Sequence, residues 1–327
     1  MFVPDAFPIA LLMMVISMVC WGSWANTYKL TKGYRFELFY WDYAIGILLI
    51  SLVLALTLGS MGSTPEGFFL NVRLADPSNV AYAMVGGVIF NVANLLLVAG
   101  IELVGLAVAF PVAIGIALVV GVVLSYAVQQ TGDPWLLGLG VLLAIVAVIM
   151  DGQAYARLNA QRQAVSRKGI IVCLVSGLLM GLFAPFVTRA LTAGDPLGPY
   201  SIAVFFTLGA FLSCFVVNVY FMRHPITGDP VTFSDYASAR PVDHGLGILG
   251  GVVWGVGTVF NFVAASLVGV AIAYAIGQAA PMVAALWGVL VWNEFRGAPR
   301  GSWLYLGAMF ILYLLAIVVI SQAYLAG

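Results

Sequence analysis

The sequence predicts an all-α polytopic membrane protein with ten transmembrane helices, arranged as two inverted five-helix repeats. The prediction comes from the apolar composition, from ten apolar runs of spanning length, and from a similarity between the two halves of the chain. Hydrophobic residues make up 63% of the 327 positions and charged residues only 8%, with a mean hydropathy of +1.09. Because soluble domains carry about 25% charged residues, this chain lacks the surface needed to face water.

Charge and cysteine usage exclude several classes of protein. The formal net charge is zero and there is no basic run, so the electrostatic basis for binding nucleic acid is missing. The three cysteines lie far apart, each within an apolar run, and form no metal-ligating or disulfide pattern. The sequence therefore predicts no metal site and no cofactor.

Apolar runs place the ten spans, since crossing a bilayer takes about 20 mostly apolar residues. Spans 1 to 10 are predicted at residues 8–28, 38–58, 80–101, 104–128, 135–154, 170–190, 199–221, 244–267, 270–293 and 302–323. Tight hairpins are expected at Glu102 and at Val268-Gly269. Residues 1–155 form the first repeat, 156–169 a cytoplasmic connector, and 170–327 the second repeat.

The loops divide into two alternating sets with very different charge. Eleven of the 13 Lys and Arg residues fall in the set that includes the loops around Lys32 and Arg240, whereas Arg73 and Arg189 fall in the other. Because basic residues concentrate in cytoplasmic loops, both termini are expected outside. The predicted location is the inner (plasma) membrane.

The inverted repeat is predicted from an internal alignment. Residues 86–126 align without gaps to residues 250–290, so that Gly86-Gly87-Val88 matches Gly250-Gly251-Val252. The alignment pairs spans 3 and 4 with spans 8 and 9, which makes the repeating unit five helices. An odd number of spans inverts the second copy, as in many secondary transporters, whose sites lie near the midplane between the halves.

Polar and aromatic side chains inside the spans are the candidate site residues, because intramembrane polar groups default to functional hypotheses. They fall on single faces of spans 1, 3, 8 and 9 by helical spacing. The proposed solute-binding residues are Trp21, Trp24, Asn91, Asn94, Trp254, Thr258, Asn261, Tyr274 and Gln278. Alternatively, the amides join helices and the tryptophans lie at the membrane interface.

Asp42 is the candidate proton-coupling residue. It lies six positions inside the apolar run that begins at Phe36, where burial disfavours the charged carboxylate. The alternative is an aspartate near the membrane boundary that pairs with Lys32 or Arg35.

Several segments resemble the drug/metabolite transporter superfamily. Trp287 to Phe295, preceded by Pro281, resembles its penultimate helix, in which a helix with a central proline ends in a glutamate. Within that superfamily, further segments resemble the ureide permease group, which is related to glucose and rhamnose uptake transporters. These segments are Tyr40 to Tyr43, Leu56 to Gly59, Ala83 to Gly87, Asn94-Leu95 and Gly250 to Gly255.

The resemblance implies proton-coupled uptake of a small polar organic solute such as a ureide, a nucleobase or a related heterocycle. Sugar uptake of the glucose or rhamnose type is the first alternative, followed by export of drugs or metabolites. A membrane enzyme is the last alternative, because no nucleophile, base or metal cluster appears in the spans. The expected partners are the solute, a proton and the bilayer, and the protein is expected to be a monomer or homodimer.

Overall fold

The computed structural model describes residues 1–61, 67–158 and 166–327, and the regular structure in these ranges is helical. Ten helices are long and apolar enough to cross a membrane, which confirms the predicted fold class. Spans 2 to 6 are Phe36–Leu56, Pro77–Val104, Leu106–Val128, Pro134–Leu158 and Arg167–Thr192. Spans 8 and 10 are Pro241–Val268 and Arg300–Ala326. Spans 1, 7 and 9 have two segments each: Phe7–Ser23 and Ala25–Leu30, Pro199–Cys214 and Val217–Arg223, and Val270–Gly277 and Ala280–Leu290.

Two connections that were expected to be irregular contain short helices. Phe68–Leu74 lies between spans 2 and 3, and Phe233–Ala237 lies between spans 7 and 8. The second begins with a capping box, in which the Thr232 hydroxyl accepts from the Asp235 backbone N–H and the Asp235 carboxylate accepts from the Thr232 N–H. That arrangement satisfies two backbone donors that would otherwise lack partners. In the predicted connector 156–169, residues 159–165 lie outside the described residues.

Each half contains one hairpin with a single-residue connection. Gly105 separates spans 3 and 4 with φ 75°, and Gly269 separates spans 8 and 9 with φ 82°. Positive φ at these values favours glycine because it has no Cβ. The two glycines occupy aligned positions of the predicted repeat. The first hairpin turns three residues later than expected, since the helix continues through Glu102 to Val104.

The loops lie on two faces of the helical bundle. One face carries the loops rich in Lys and Arg and is called the basic face here. On it, Lys29 pairs with Glu294, and the Arg35 guanidinium donates to the backbone carbonyl of Asp229. The other face carries both chain ends and is called the terminal face here. There Phe2 N–H donates to the Leu58 carbonyl over 2.8 Å, and Asp133 N–H at the end of the 4–5 connection donates to the Ala323 carbonyl of the C-terminal helix over 2.8 Å.

Corresponding pairs of helices pack closely in the two halves. A Cβ on Gly87 of span 3 would overlap the carbonyl oxygen of Phe206 in span 7, and a Cβ on Gly251 of span 8 would overlap that of Tyr43 in span 2. Gly87 and Gly251 are aligned in the predicted repeat. The span pairs 3–6 and 1–8 likewise correspond, as do 4–6 and 1–9. The inverted repeat stays a prediction, and these matched contacts are what it requires.

The outer surface of the spans is apolar, as a lipid-facing surface must be. Leu304 in span 10 and Leu290 at the end of span 9 are 76% and 72% exposed, and Trp135 at the start of span 5 is 86% exposed. Exposed apolar patches on such a scale mark interaction with a membrane or a partner.

Substitution of Gly87 tests the close helix contact. Gly87→Ala places a methyl group against the Phe206 carbonyl, and overpacking of this kind costs about 1–3 kcal/mol. The expected result is a lower midpoint of thermal unfolding in detergent. Gly138→Ala is the matched control, because a Cβ at Gly138 meets no atom within 4 Å and helix propensity favours alanine by roughly 0.5–1 kcal/mol. Equal midpoints for the two variants would contradict the described packing of spans 3 and 7.

Candidate functional site

Span 9 is interrupted inside the membrane, although it was expected to be one continuous helix. It is the most enclosed of the ten spans, and its two segments meet at Gln278 and Ala279. Pro281 has no N–H, so the helical hydrogen bond that would end on the Gly277 carbonyl is absent. Irregular backbone at this depth is tolerated where it is buried in protein or lines a cavity, and in transporters such breaks mark binding sites.

An aromatic and hydroxyl cluster lies beside this interruption. Trp21 Nε1 in span 1 donates to Thr258 Oγ1 in span 8 over 3.1 Å. The Trp21 ring stacks on Trp254 with 6.0 Å between centroids, and Trp254 stacks in turn on Phe90 of span 3 at 4.4 Å. Gly277 at the interruption leaves room for the Trp21 ring, which a Cβ there would touch. Spans 1, 8 and 9 therefore bring together one group of the predicted residues.

Trp24, the second predicted residue of span 1, joins this cluster through Tyr43. The Trp24 ring packs against Tyr43 with 4.9 Å between centroids, and Tyr43 packs against Trp254 at 6.2 Å. Trp24 and Trp254 thus lie on either side of one span 2 side chain. Both tryptophans occupy the protein interior at spans 1, 2 and 8.

The two predicted amides near the interruption differ in their bonding. Asn261 is 1% exposed, and its Nδ2 donates to the Ala273 carbonyl over 2.9 Å, which ties span 8 to the first segment of span 9. Gln278 is 9% exposed. Its side-chain amide makes no hydrogen bond with the part of the chain that the structure describes. Gln278 therefore offers both of its N–H donors and its acceptor to a solute, whereas Asn261 already uses one N–H for the Ala273 carbonyl.

Three predicted residues lie on other helix contacts. Asn91 Nδ2 donates to Ser213 Oγ of span 7 over 2.7 Å, and Tyr274 Oη donates to the Met180 carbonyl of span 6 over 3.2 Å. Asn94 is 4% exposed, and its Nδ2 has no hydrogen-bond partner among the described residues. The hydrogen bonds of Asn91 and Tyr274 join neighbouring helices, in agreement with the alternative interpretation of intramembrane amides and hydroxyls.

Asp42 lies at the centre of a hydrogen-bonded group near the basic face. The carboxylate is 2% exposed. Tyr34 Oη donates to Oδ2 over 2.8 Å, and Tyr236 Oη donates to Oδ1 over 2.6 Å. His244 Nδ1 lies 2.9 Å from Oδ2. These partners replace the Lys32 or Arg35 expected from the sequence, and Arg35 instead pairs with Glu37 at 2.8 Å.

The two tyrosines of this group come from the connections between spans. Burial, followed by the hydrogen bond to Asp42, raises the pKa of Tyr34 and of Tyr236 above the ordinary tyrosine value. Both hydroxyls therefore keep their protons at neutral pH and act as donors. Tyr236 lies on the short helix Phe233–Ala237, so this helix covers Asp42 on the basic face.

None of the three partners of Asp42 was predicted from the sequence. His244 was expected in the loop before span 8, but the helix begins at Pro241 because proline suits the first helical position. His244 is thus in the first turn and faces span 2. Tyr34 and Tyr236 are 8 and 194 positions from Asp42 along the chain. Only Tyr34 is close enough to Asp42 along the chain for the pairing to be suggested by local sequence.

The terminal face contains an open depression, at the end of span 8 that is farther from His244 and Asp42. It encloses about 1170 Å³ of empty space, part of which is open to solvent. The end of the short helix Phe68–Leu74, the 195–199 connection and Ser266 line it. Along span 8, Ser266 is ~12 Å from Thr258, and Thr258 is ~21 Å from His244, at 1.5 Å per residue. The aromatic cluster thus lies between the open depression and the covered Asp42 group.

These features define the class of protein. The chain is a multi-pass membrane protein with an interrupted, enclosed helix and a buried aromatic and polar cluster, an arrangement typical of secondary transporters. The family model described as ureide permease matches residues 39–168 and 157–323. The chain belongs to the ureide permease family.

Curated relatives and a solved structure cover nearly the whole chain. Ureide permease 1 and ureide permease 2 of Arabidopsis thaliana are 24% and 25% identical, over 96% of this chain and 96% of each relative. A Bacillus cereus protein named "Probable glucose uptake protein GlcU" is 23% identical over 80% of this chain and 86% of its own length. A crystal structure with 19% identity superimposes with a TM-score of 0.65 over 97% of both chains, which supports the fold.

The different bonding of Gln278 and Asn261 gives a testable prediction. Gln278→Ala should weaken solute binding while leaving the midpoint of thermal unfolding unchanged, because the amide makes no bond within the described residues. Loss of one neutral hydrogen bond is worth ~0.5–1.5 kcal/mol, or roughly threefold to tenfold in affinity. Asn261→Ala should lower the unfolding midpoint as well, since it removes the bond to Ala273. Parental transport by both variants would contradict a binding site at the interruption.

Proposed function

We propose that this protein is a secondary active transporter for uptake of a small polar organic solute, such as a ureide, a nucleobase or a related heterocycle. The observation that carries the proposal is the match of the ureide permease family to almost the whole chain. The interrupted span 9 supports the proposal from the structure, because the Gln278 amide there makes no hydrogen bond with the described residues and the stacked indole rings lie beside the interruption.

The chemistry of the cluster suits such a solute. Ureides and nucleobases are compact, with N–H donors and C=O acceptors along their edges. The Gln278 amide carries one acceptor and two donors and complements such an edge. The faces of Trp21 and Trp254 supply flat apolar walls, the usual combination in small-molecule sites.

Sugar uptake is the second candidate, because of the similarity to the glucose uptake protein of Bacillus cereus. Sugars also stack their apolar faces on indole rings and bind amides through their hydroxyls. Thermal-shift and uptake assays therefore decide between the two classes of solute.

The substrate experiment uses purified protein and proteoliposomes. A bound solute raises the unfolding midpoint by mass action, so ureides and nucleobases should raise it and glucose and rhamnose should not. The same ureide or nucleobase should then accumulate in proteoliposomes, and Gln278→Ala should reduce both effects. Stabilisation by sugars alone would favour the second candidate, and stabilisation by neither class would contradict the proposed solute.

We infer that the basic face lies in the cytoplasm, with both termini outside, from the uneven distribution of Lys and Arg. In that orientation the depression opens to the outside, and the helix Phe233–Ala237 covers the cytoplasmic side. The described conformation then suits loading of a solute from outside.

Proton coupling is proposed to run through Asp42. The two tyrosine hydroxyls and His244 stabilise the carboxylate while the cytoplasmic side is covered. Movement of the helix Phe233–Ala237 would remove the Tyr236 hydroxyl and uncover Asp42 on the basic face. A proton would then reach Asp42 from that face in one conformation only, which is what coupling requires.

Asp42→Asn tests this coupling. The asparagine oxygen accepts from one tyrosine and its Nδ2 donates to the hydroxyl oxygen of the other, so the fold and solute exchange should persist, but a pH gradient should no longer drive accumulation. The measurements are counterflow exchange and gradient-driven uptake in proteoliposomes. Asp229→Asn is the matched control, because Asp229 is an exposed carboxylate on the same face and Arg35 contacts only its backbone carbonyl. Gradient-driven accumulation by Asp42→Asn would make Asp42 a structural partner of His244.

A further inference from the structure

A second buried carboxylate lies in the membrane-spanning part of the chain, away from Asp42. Asp151 of span 5 is 5% exposed, and its Oδ1 has no hydrogen-bond partner among the described residues. It lies ~10 Å of helix from the end of span 5 at Leu158 and directly follows the apolar stretch that ends at Met150. Sequence reasoning passed over this residue because it considered only carboxylates near the predicted cavity and at helix ends.

The helices around span 5 offer Asp151 no positive charge. Span 5 packs against spans 4, 9 and 10. The sequence of span 4 and of both segments of span 9 contains no charged residue, and span 10 has only Arg300, at its first position. Arg157 in the last turn of span 5 is directed to the Tyr305 hydroxyl at 3.3 Å. An ionised carboxylate without a cation or donor is strongly unfavourable in such surroundings.

Three other titratable groups face this region. Tyr155 follows Asp151 by one helical turn on the same face, and Tyr313 approaches from span 10. The Tyr313 hydroxyl is also buried without a hydrogen-bond partner among the described residues. Tyr155 Oη donates to Glu294 Oε2 over 3.3 Å. Tyrosine hydroxyls and a second carboxylate add no positive charge, so they do not favour an ionised Asp151.

A chain of polar groups runs from the basic face toward Asp151. Glu294 is partly exposed and pairs with Lys29 at the surface, and its other oxygen accepts from Tyr155. Gly288 keeps this path open, because a Cβ there would lie 2.6 Å from Glu294 Oε2 and 3.1 Å from Tyr155 Oη. Polar groups therefore reach from bulk water on the basic face to within one helical turn of Asp151.

We propose that Asp151 binds a proton inside the membrane and is a second proton site of the carrier, separate from Asp42. The proton comes from water on the basic face and converts the carboxylate to a neutral acid, and no other bond changes. Asp42 accepts hydrogen bonds from two tyrosine hydroxyls and lies beside His244, whereas Asp151 accepts none from the described residues, which is the environment that suits a neutral acid. Proton binding stands without the proposed function, and only its part in coupling rests on that function.

Infrared spectroscopy of the purified protein at neutral pH tests proton binding directly. The parent should show the carbonyl stretch of a protonated carboxylic acid, and Asp151→Asn should lose it. Carbon-13 labelling of aspartate should shift the same band in the unmodified chain, which assigns the band to an aspartate, and its loss in Asp151→Asn then assigns it to Asp151. Asp229→Asn, which alters an exposed carboxylate, should retain the band.

Two results would overturn the proposal. The first is an acid band that is absent from the parent or unchanged in Asp151→Asn. The second is loss of the band when sodium chloride replaces choline chloride, which would make Asp151 a cation site.

Transport assays then test the part of Asp151 in coupling. Asp151→Asn mimics the neutral acid, so it should fold and exchange solute like the parent, but a pH gradient should drive less accumulation. Loss of the acid band with unchanged gradient-driven uptake would overturn the coupling role. A parent that shows the band but accumulates no solute would instead count against the proposed function, because the two readouts are independent.

Discussion

The fold depends on close contact between helix backbones at positions occupied by glycine, which has no side chain. Between apolar helices in lipid the hydrophobic effect gives little attraction, so packing and small residues hold the spans together. Gly87 brings span 3 against span 7, and Gly251 brings span 8 against span 2. These two contacts set the positions of Phe90 and Trp254, whose rings stack at 4.4 Å in the interior. The aromatic cluster therefore depends on the absence of two methyl groups.

The spans could be predicted from the sequence, because a long apolar run has few alternatives to a membrane helix. Pro281 indicates a kink in span 9, but the sequence does not single it out, since Pro111 and Pro185 lie inside helices that stay continuous. The grouping of Trp21 with Thr258 followed from helical faces and from the assumption that spans 1 and 8 are neighbours. His244 could not be predicted as a partner of Asp42 from local sequence, because it is 202 positions away along the chain. Local patterns carry no information about such contacts.

The two buried carboxylates show how surroundings, more than depth, determine the state of an ionisable group. Asp42 and Asp151 lie at similar depths from the basic face, each about 10 Å along its helix. Asp42 has two hydroxyl donors and an imidazole, whereas Asp151 faces apolar helices and two tyrosines. In the mechanism proposed above, Asp42 is the ionised group of the described conformation and Asp151 the protonated one.

The two short helices have a consequence for the balance between conformations. Phe68–Leu74 and Phe233–Ala237 occupy corresponding connections of the two halves, after the second span of each, and they lie on opposite faces. Only the second carries a side chain that bonds to a buried carboxylate. The two ends of the molecule are thus similar in architecture but different in chemistry. Under the proposed coupling, acidity at the basic face would therefore alter the relative free energies of the two conformations, whereas the described residues of the terminal face contain no such bond.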